Sequence, residues 1–202
     1  MANIGLRDKL EAIVPELHYY QKRRIFKPNE IESIVNQRKA FELNLINNSS
    51  LHAYLKYIEY EVLLERIYQK RVARKNNPRD YISKRVDKLF TRAERKYPND
   101  ISLPISHLDY LISVDQRDKA LQLALALPTR HAGSPTIWIH SAKQLRKLGE
   151  VDASRILFQK ALRLITDKEE IINSFIEMEH LDTQSDSPQI IAILEQQLTT
   201  NK

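Results

Sequence analysis

The sequence predicts an all-α fold, an antiparallel helix-hairpin solenoid, and three observations carry that expectation. Only 3 of the 202 residues are glycine, too few to supply the tight turns and φ > 0 positions of a sheet-rich chain. Apolar residues recur at three- and four-residue spacing between turn signals, and no segment sustains two-residue alternation. Phe-x-x-Ala occurs at Phe90 and Ala93 and again at Phe158 and Ala161, 68 residues on. That offset is twice the roughly 34-residue period of helix-turn-helix repeats, in which each hairpin buries its apolar face against its neighbours.

The elements follow in order. Arg7, Asp8, Lys9 and Glu11 interrupt the amino-terminal segment, so it lacks the apolar run of a signal peptide. No run of 18 apolar residues occurs anywhere, and the expectation is a chain that neither crosses nor enters a membrane. Pro28 fits the first turn of a helix with the stripe Ile31, Ile34, Val35, Phe41 and Leu45, ended by Asn47-Asn48-Ser49-Ser50. Ser50 caps the next helix, through Leu51, Tyr54, Leu55, Ile58, Val62 and Leu63, until Lys75-Asn76-Asn77-Pro78. Another carries Ile82, Val86, Leu89, Phe90 and Ala93 and stops at Pro98. Segments near 101–113, 116–127 (ended by Pro128), 134–148 (ended by Gly149), 150–165, 167–181 and 187–199 complete about nine or ten helices on short loops.

Two continuous regions are expected: a helical region over 1–75 leading into the first repeat-like helix, and a repeat array over 76–202. Between the two Phe-x-x-Ala copies, Asp118 to Pro128 reads as a degenerate third. Ala93, Ala124 and Ala161 suit close helix approach. Tyr54, Tyr57 and Tyr60 precede Glu61, Trp138 stands four residues before Ala142, and Phe175 four before Glu179, each set on one helix face. These rings are read as inter-repeat core ahead of a platform for peptide or base stacking. The candidate repeat core is therefore Tyr54, Tyr57, Phe90, Ala93, Trp138, Phe158 and Ala161.

Charge is distributed unevenly. From Arg66 to Lys96 twelve Lys and Arg stand against three acids, whereas from Asp167 to Lys202 eight acids stand against two lysines. The candidate contact residues are Arg66, Lys70, Arg71, Arg74, Lys84, Arg85, Lys88, Arg92 and Arg95. On the helix after Pro78 they alternate with apolar positions, which puts most of the charge on the exposed side. Three readings stay open: a solvated face, a seat for an acidic segment of a partner protein, or phosphate contact with RNA.

Catalytic readings find little to stand on. Zero cysteines exclude disulfides, thiolate catalysis and Cys-based zinc sites, and fit a reducing compartment. There is no Walker A sequence, no G-x-S-x-G and no H-E-x-x-H; His107, His140 and His180 each lack a second His at helical spacing. Asp182 and Asp186 read as a solvated loop pair. Glu61 and Glu179 read as ion-pair partners of a neighbouring hairpin rather than as an acid or base. The expectation is a non-enzyme with no cofactor, no metal and no small-molecule substrate.

An aromatic first helix ending in Glu, with a second helix of the form R-x-x-x-x-F-x-R-A ending in Pro, resembles HAT (half-a-TPR) repeats. Ile13 to Leu45 followed by Leu51 to Arg74 resembles the amino-terminal region of the U-three small nucleolar RNA-associated protein six family. The matching residues are Pro15-Glu16-Leu17, Ile25-Phe26, Glu30-Ile31, Arg38, Phe41-Glu42, Tyr54, Tyr57, Tyr60-Glu61 and Lys70-Arg71. The likeness runs to about Leu181, with departures at Pro104 and Ile172, where such repeats usually carry Trp. Family members are longer, so this chain corresponds to a reduced member or to an amino-terminal part. The resemblance implies a non-catalytic scaffold subunit of the nucleolar small-subunit processome, acting in pre-18S ribosomal RNA processing beside β-propeller subunits. Direct contact of residues 66–96 with small nucleolar or pre-ribosomal RNA, and a generic TPR-like peptide adaptor, are the alternatives.

Overall fold

The computed structural model describes residues 2–72, 81–180 and 187–200. Among them there are eleven helices and no strand: α1 (Ala2–Glu11), α2 (Val14–Lys22), α3 (Pro28–Asn47), α4 (Leu51–Arg71), α5 (Tyr81–Lys96), α6 (Ser102–Ser113), α7 (Arg117–Arg130), α8 (Pro135–Lys147), α9 (Val151–Leu164), α10 (Glu169–His180) and α11 (Ser187–Thr200). The all-α, helix-hairpin repeat class read from the spacing is the observed class. Two short helices before Pro28 account for the larger count. The expected helix end at Lys75-Asn76-Asn77-Pro78, the contact candidate Arg74 and the Asp182/Asp186 pair lie outside the described residues.

Local chemistry sets the boundaries. Pro28 occupies the first turn of α3, where its missing N–H costs nothing, and the Glu30 carboxylate accepts from the Lys27 backbone N–H at 2.7 Å. Ser50 Oγ accepts from the Ala53 N–H at 3.2 Å and starts α4. Asp100 Oδ1 accepts from the backbone N–H groups of Ser102 and Leu103 at the start of α6. Gly149, at φ +85°, closes α8 with its N–H on the Arg146 carbonyl. One expected boundary is corrected: α7 does not stop at Pro128 but continues to Arg130. Pro128 forfeits one helical hydrogen bond near the end of the helix, and burial of its ring offsets that loss.

The chain divides into two compact units, Met1–Asn99 and Asp100–Lys202. In the first, α3 packs against α1, α2 and α4, and α4 against α5. In the second, consecutive helices pack pairwise from α6 to α11, and α8 also lies against both α6 and α10. That lateral packing of alternate helices is how a hairpin repeat buries one face on the next.

The 34-residue register is visible in the burial. Phe90, Ala124 and Phe158 are spaced by 34 and all buried, as are Ala93, Leu127 and Ala161. The middle copy exchanges the positions of the large and the small residue, with Leu127 in place of the ring. Pro104, Trp138 and Ile172 form a third buried row at the same spacing. Phe158 stacks on Phe175 with centroids 4.7 Å apart and planes at 6°. Ser154, fully buried, donates to the Ala142 carbonyl at 2.8 Å and ties α9 to α8. No helix among the described residues is long and apolar enough to cross a membrane.

Candidate interaction surface and its buried carboxylates

Arg38 and Glu61 occupy positions that an apolar side chain would ordinarily fill. On α3 the buried residues are Ile34, Arg38, Glu42 and Leu45; on α4 Tyr57 stands one turn before Glu61, with Leu64 and Tyr68 after it. Helical spacing thus aims Arg38 and Glu61 into the interior. Arg38, 1% exposed, donates through Nε to Glu61 Oε1 at 2.7 Å and through Nη2 to Glu61 Oε2 at 2.8 Å and Glu16 Oε1 at 2.9 Å. Glu16 also accepts from the Tyr20 hydroxyl at 2.7 Å and from Arg85 Nη2. Arg85 Nε lies 3.7 Å from Glu61 Oε1. Four helices, α2 to α5, are tied by this cluster.

Electrostatics follow from the enclosure. Burial pushes the Glu16 carboxyl up, but the guanidiniums of Arg38 and Arg85 outweigh it and hold the group below its ordinary 4.5. Burial and the adjacent Glu16 carboxylate push the Tyr20 hydroxyl far up, so it stays a donor. Two further ties flank the cluster. Glu42 accepts from Lys9 at 2.7 Å and from both Nη atoms of Arg92 at 2.9 and 3.3 Å, and Arg92 lies 5.8 Å from the Tyr54 ring centroid. Arg71 grips Glu30 with two bonds of 2.8 Å, donates to the Ile25 carbonyl and covers the Phe26 ring at 4.9 Å.

The basic candidates therefore separate into two sets. Arg71, Arg85 and Arg92 spend their guanidiniums inside the first unit; the side chains of Arg85 and Arg92 are only 20% and 33% exposed, so the outward orientation expected from spacing does not hold for them. Arg66, Lys70, Lys84, Lys88 and Arg95 are exposed, and none has an ion-pair partner among the described residues. The core candidates Tyr54, Tyr57, Phe90, Ala93, Trp138, Phe158 and Ala161 are all buried, leaving those rings no open face for a base or peptide. In the second unit Arg155 forks onto the fully buried Glu179 at 2.9 and 2.7 Å. Glu61 and Glu179, each one turn after a buried aromatic, are thus both held by arginine.

Between α1, α3, α4 and α5 lies a cleft of about 240 Å³, lined among others by Lys9, Arg38, Arg85, Lys88 and Arg92. Spacing alone gave no hint of it. The available signal was a charged residue inside an apolar stripe, at Arg38 and Glu61.

Residues 10–96 match the family model described as U3 small nucleolar RNA-associated protein 6. The protein of that description in Schizosaccharomyces pombe is 29% identical over 178 residues, 84% of this chain and 36% of its own length. The Mus musculus homolog is 25% identical over 187 residues, 89% of this chain and 31% of its own, and the Homo sapiens homolog 24% identical over the same shares. The chain spans about a third of the length of these curated relatives. The matched segment carries the whole Glu16, Arg38, Glu61 and Arg85 cluster, and along it the chain is similar to the U3 small nucleolar RNA-associated protein 6 family.

Proposed function

We propose that this protein is a non-catalytic scaffold subunit of the nucleolar small-subunit processome, acting in pre-18S ribosomal RNA processing and small-subunit assembly through protein–protein contacts. The observation that carries the reading is the family match over 10–96, on a unit whose enclosed charged residues Glu16, Arg38 and Glu61 are spent on holding helices together. Its relatives are named for association with U3 small nucleolar RNA, which supports a role in ribosome biogenesis and a nucleolar location. Stacked hairpins present extended faces along which partner segments lie, and β-propeller subunits are the proposed partners. Among the described residues no group of three or more His, Cys, Asp or Glu converges as metal ligands do.

Tagged protein purified from cells should bring down other ribosome-biogenesis proteins together with U3 small nucleolar RNA. Recovery of an unrelated peptide-bearing partner, without ribosomal precursors, would favour the TPR-like adaptor instead. Direct RNA contact is a second reading, favoured by Arg66, Lys84 and Arg95, which are exposed and have no ion-pair partner among the described residues. If those cations bind phosphates, replacing all three by Ala flattens the salt dependence of RNA binding by about one unit of slope per lost contact. Arg92 is unsuited to that test, because its loss would strand Glu42.

A further inference from the structure

We infer that the cleft between α1, α3, α4 and α5 receives the carboxylate of an acidic side chain from a partner protein, an inference that deepens the scaffold reading and rests on it. Five cations reach the cleft, Lys9, Arg38, Arg85, Lys88 and Arg92, with Glu42 the one carboxylate in its lining. Adding Glu16 and Glu61, which Arg38 and Arg85 hold, brings three carboxylates against five cations. Among the described residues of this group, two positive charges stay uncompensated. Lys88 is exposed and has no ion-pair partner among the described residues. Arg38 Nη1 and Arg85 Nε are buried and lack a hydrogen-bond partner there as well. A desolvated guanidinium N–H without an acceptor is costly, and an entering anion recovers that cost with charge-assisted bonds.

The walls select the kind of anion. Leu10, Ile13 and Leu89 line the same cleft, so its cations sit beside aliphatic surface. A carboxylate on a short aliphatic stem satisfies both at once. A nucleic-acid phosphate is one link of a chain that continues on either side, and it is met by exposed cations tracking a strand, with rings on which bases stack. Here the deepest cation, Arg38, is almost fully enclosed, and Tyr57, the aromatic residue in the lining, is buried.

The test uses the full chain and fluorescence anisotropy with three labelled probes: a short peptide alternating Glu or Asp with Leu, its Gln/Asn counterpart, and an oligouridylate of matching charge. The acidic peptide should bind and the amide peptide should not. Lys88→Glu should weaken binding about tenfold or more, as reversal of a charge at a close pair does, while Arg95→Glu, on the same helix outside the cleft lining, should change it little. Lys88→Gln, with a smaller loss, guards against misfolding of the reversal variant. Absence of acidic-peptide binding, equal weakening by Lys88→Glu and Arg95→Glu, or tighter Lys88-dependent binding of the oligouridylate would each overturn the inference. If peptide binding fails while processome proteins still co-purify, only the cleft assignment falls. If peptide binding holds while co-purification fails, the scaffold reading falls.

Discussion

Replacing Arg38 by Met is the sharpest test of how the first unit is held. The side chain makes three charge-assisted hydrogen bonds, two to Glu61 and one to Glu16, and Met fills much of its aliphatic volume. The variant leaves two enclosed carboxylates sharing Arg85, which reaches Glu61 Oε1 only at 3.7 Å. Breaking a buried ion pair from one side costs about 3–5 kcal/mol, a large part of the 5–15 kcal/mol, roughly, that holds a typical domain. Urea unfolding followed by far-ultraviolet circular dichroism reads the loss. The pH dependence identifies its origin. In the parent protein Glu16 titrates below its ordinary 4.5, so its contribution is complete above that value and disappears as pH falls through the lower folded value. Without Arg38 only Arg85 offsets the burial of the two carboxylates, and a protonated carboxyl needs no cation. The penalty of Arg38→Met should therefore shrink as pH drops through the carboxylate range. Replacing Glu61 by Gln as well should cost less than the two single changes added, by about 0.5–3 kcal/mol. An unchanged unfolding midpoint, or a penalty independent of pH, would refute the reasoning.

Three further outcomes follow. Phe158→Ala, at a fully buried ring stacked on Phe175, should cost about 3–5 kcal/mol; hydrogen exchange should show the loss first in α8, α9 and α10, and unchanged protection there would exclude a core role. Gly149→Ala meets nothing nearer than Arg117 Nη2 at 3.9 Å, so its cost, about 1–2 kcal/mol, is that of a Cβ at positive φ; a midpoint equal to the parent's would show that the turn relaxes. The hydrogen bonds of Arg71 and the Lys27 N–H hold Glu30 down to about 2, so its contribution is complete above 4.5 and lost only as pH falls toward 2; Arg71→Gln should return the Glu30 titration, followed by carboxyl NMR shifts, toward 4.5.

Much of the fold was legible because it rests on local rules. Pro28, Ser50, Asn47-Asn48 and Gly149 mark boundaries through backbone chemistry that acts within a few residues, and the helices begin and end there. Pro128 misled because a lost hydrogen bond near a helix end is a small local cost that burial of the ring offsets, and burial is not local information. The repeat was legible in part for the same reason. Phe90 and Phe158 share a residue type, whereas the intermediate Ala124 and Leu127 keep only the pairing of one large and one small buried residue, in exchanged positions.

The charged residues divide along the same line. Helical spacing gives the direction in which a side chain points, but it assumes that charge means solvent. That assumption fails at Arg38, Glu42 and Glu61, each a charge set among buried neighbours on its own helix. A cation in an apolar stripe is tolerable only if another stripe supplies the anion, so an Arg in the α3 stripe and a Glu in the α4 stripe imply one another before any coordinates are known. Several residues that carry the family likeness belong to this ionic system or pack beside it: Glu16, Arg38 and Glu61 in the enclosed cluster, Glu42, Glu30 and Arg71 in the flanking ties, Phe26 under Arg71, and Phe41 stacked on Tyr57. Well-packed apolar residues often match a buried pair in stability, so the cluster's distinctive contribution is the pairing of particular helices in one register. A fixed register in turn sets where Lys88 and the enclosed guanidiniums of Arg38 and Arg85 stand at the cleft, which is how an internal packing device determines what the surface can hold.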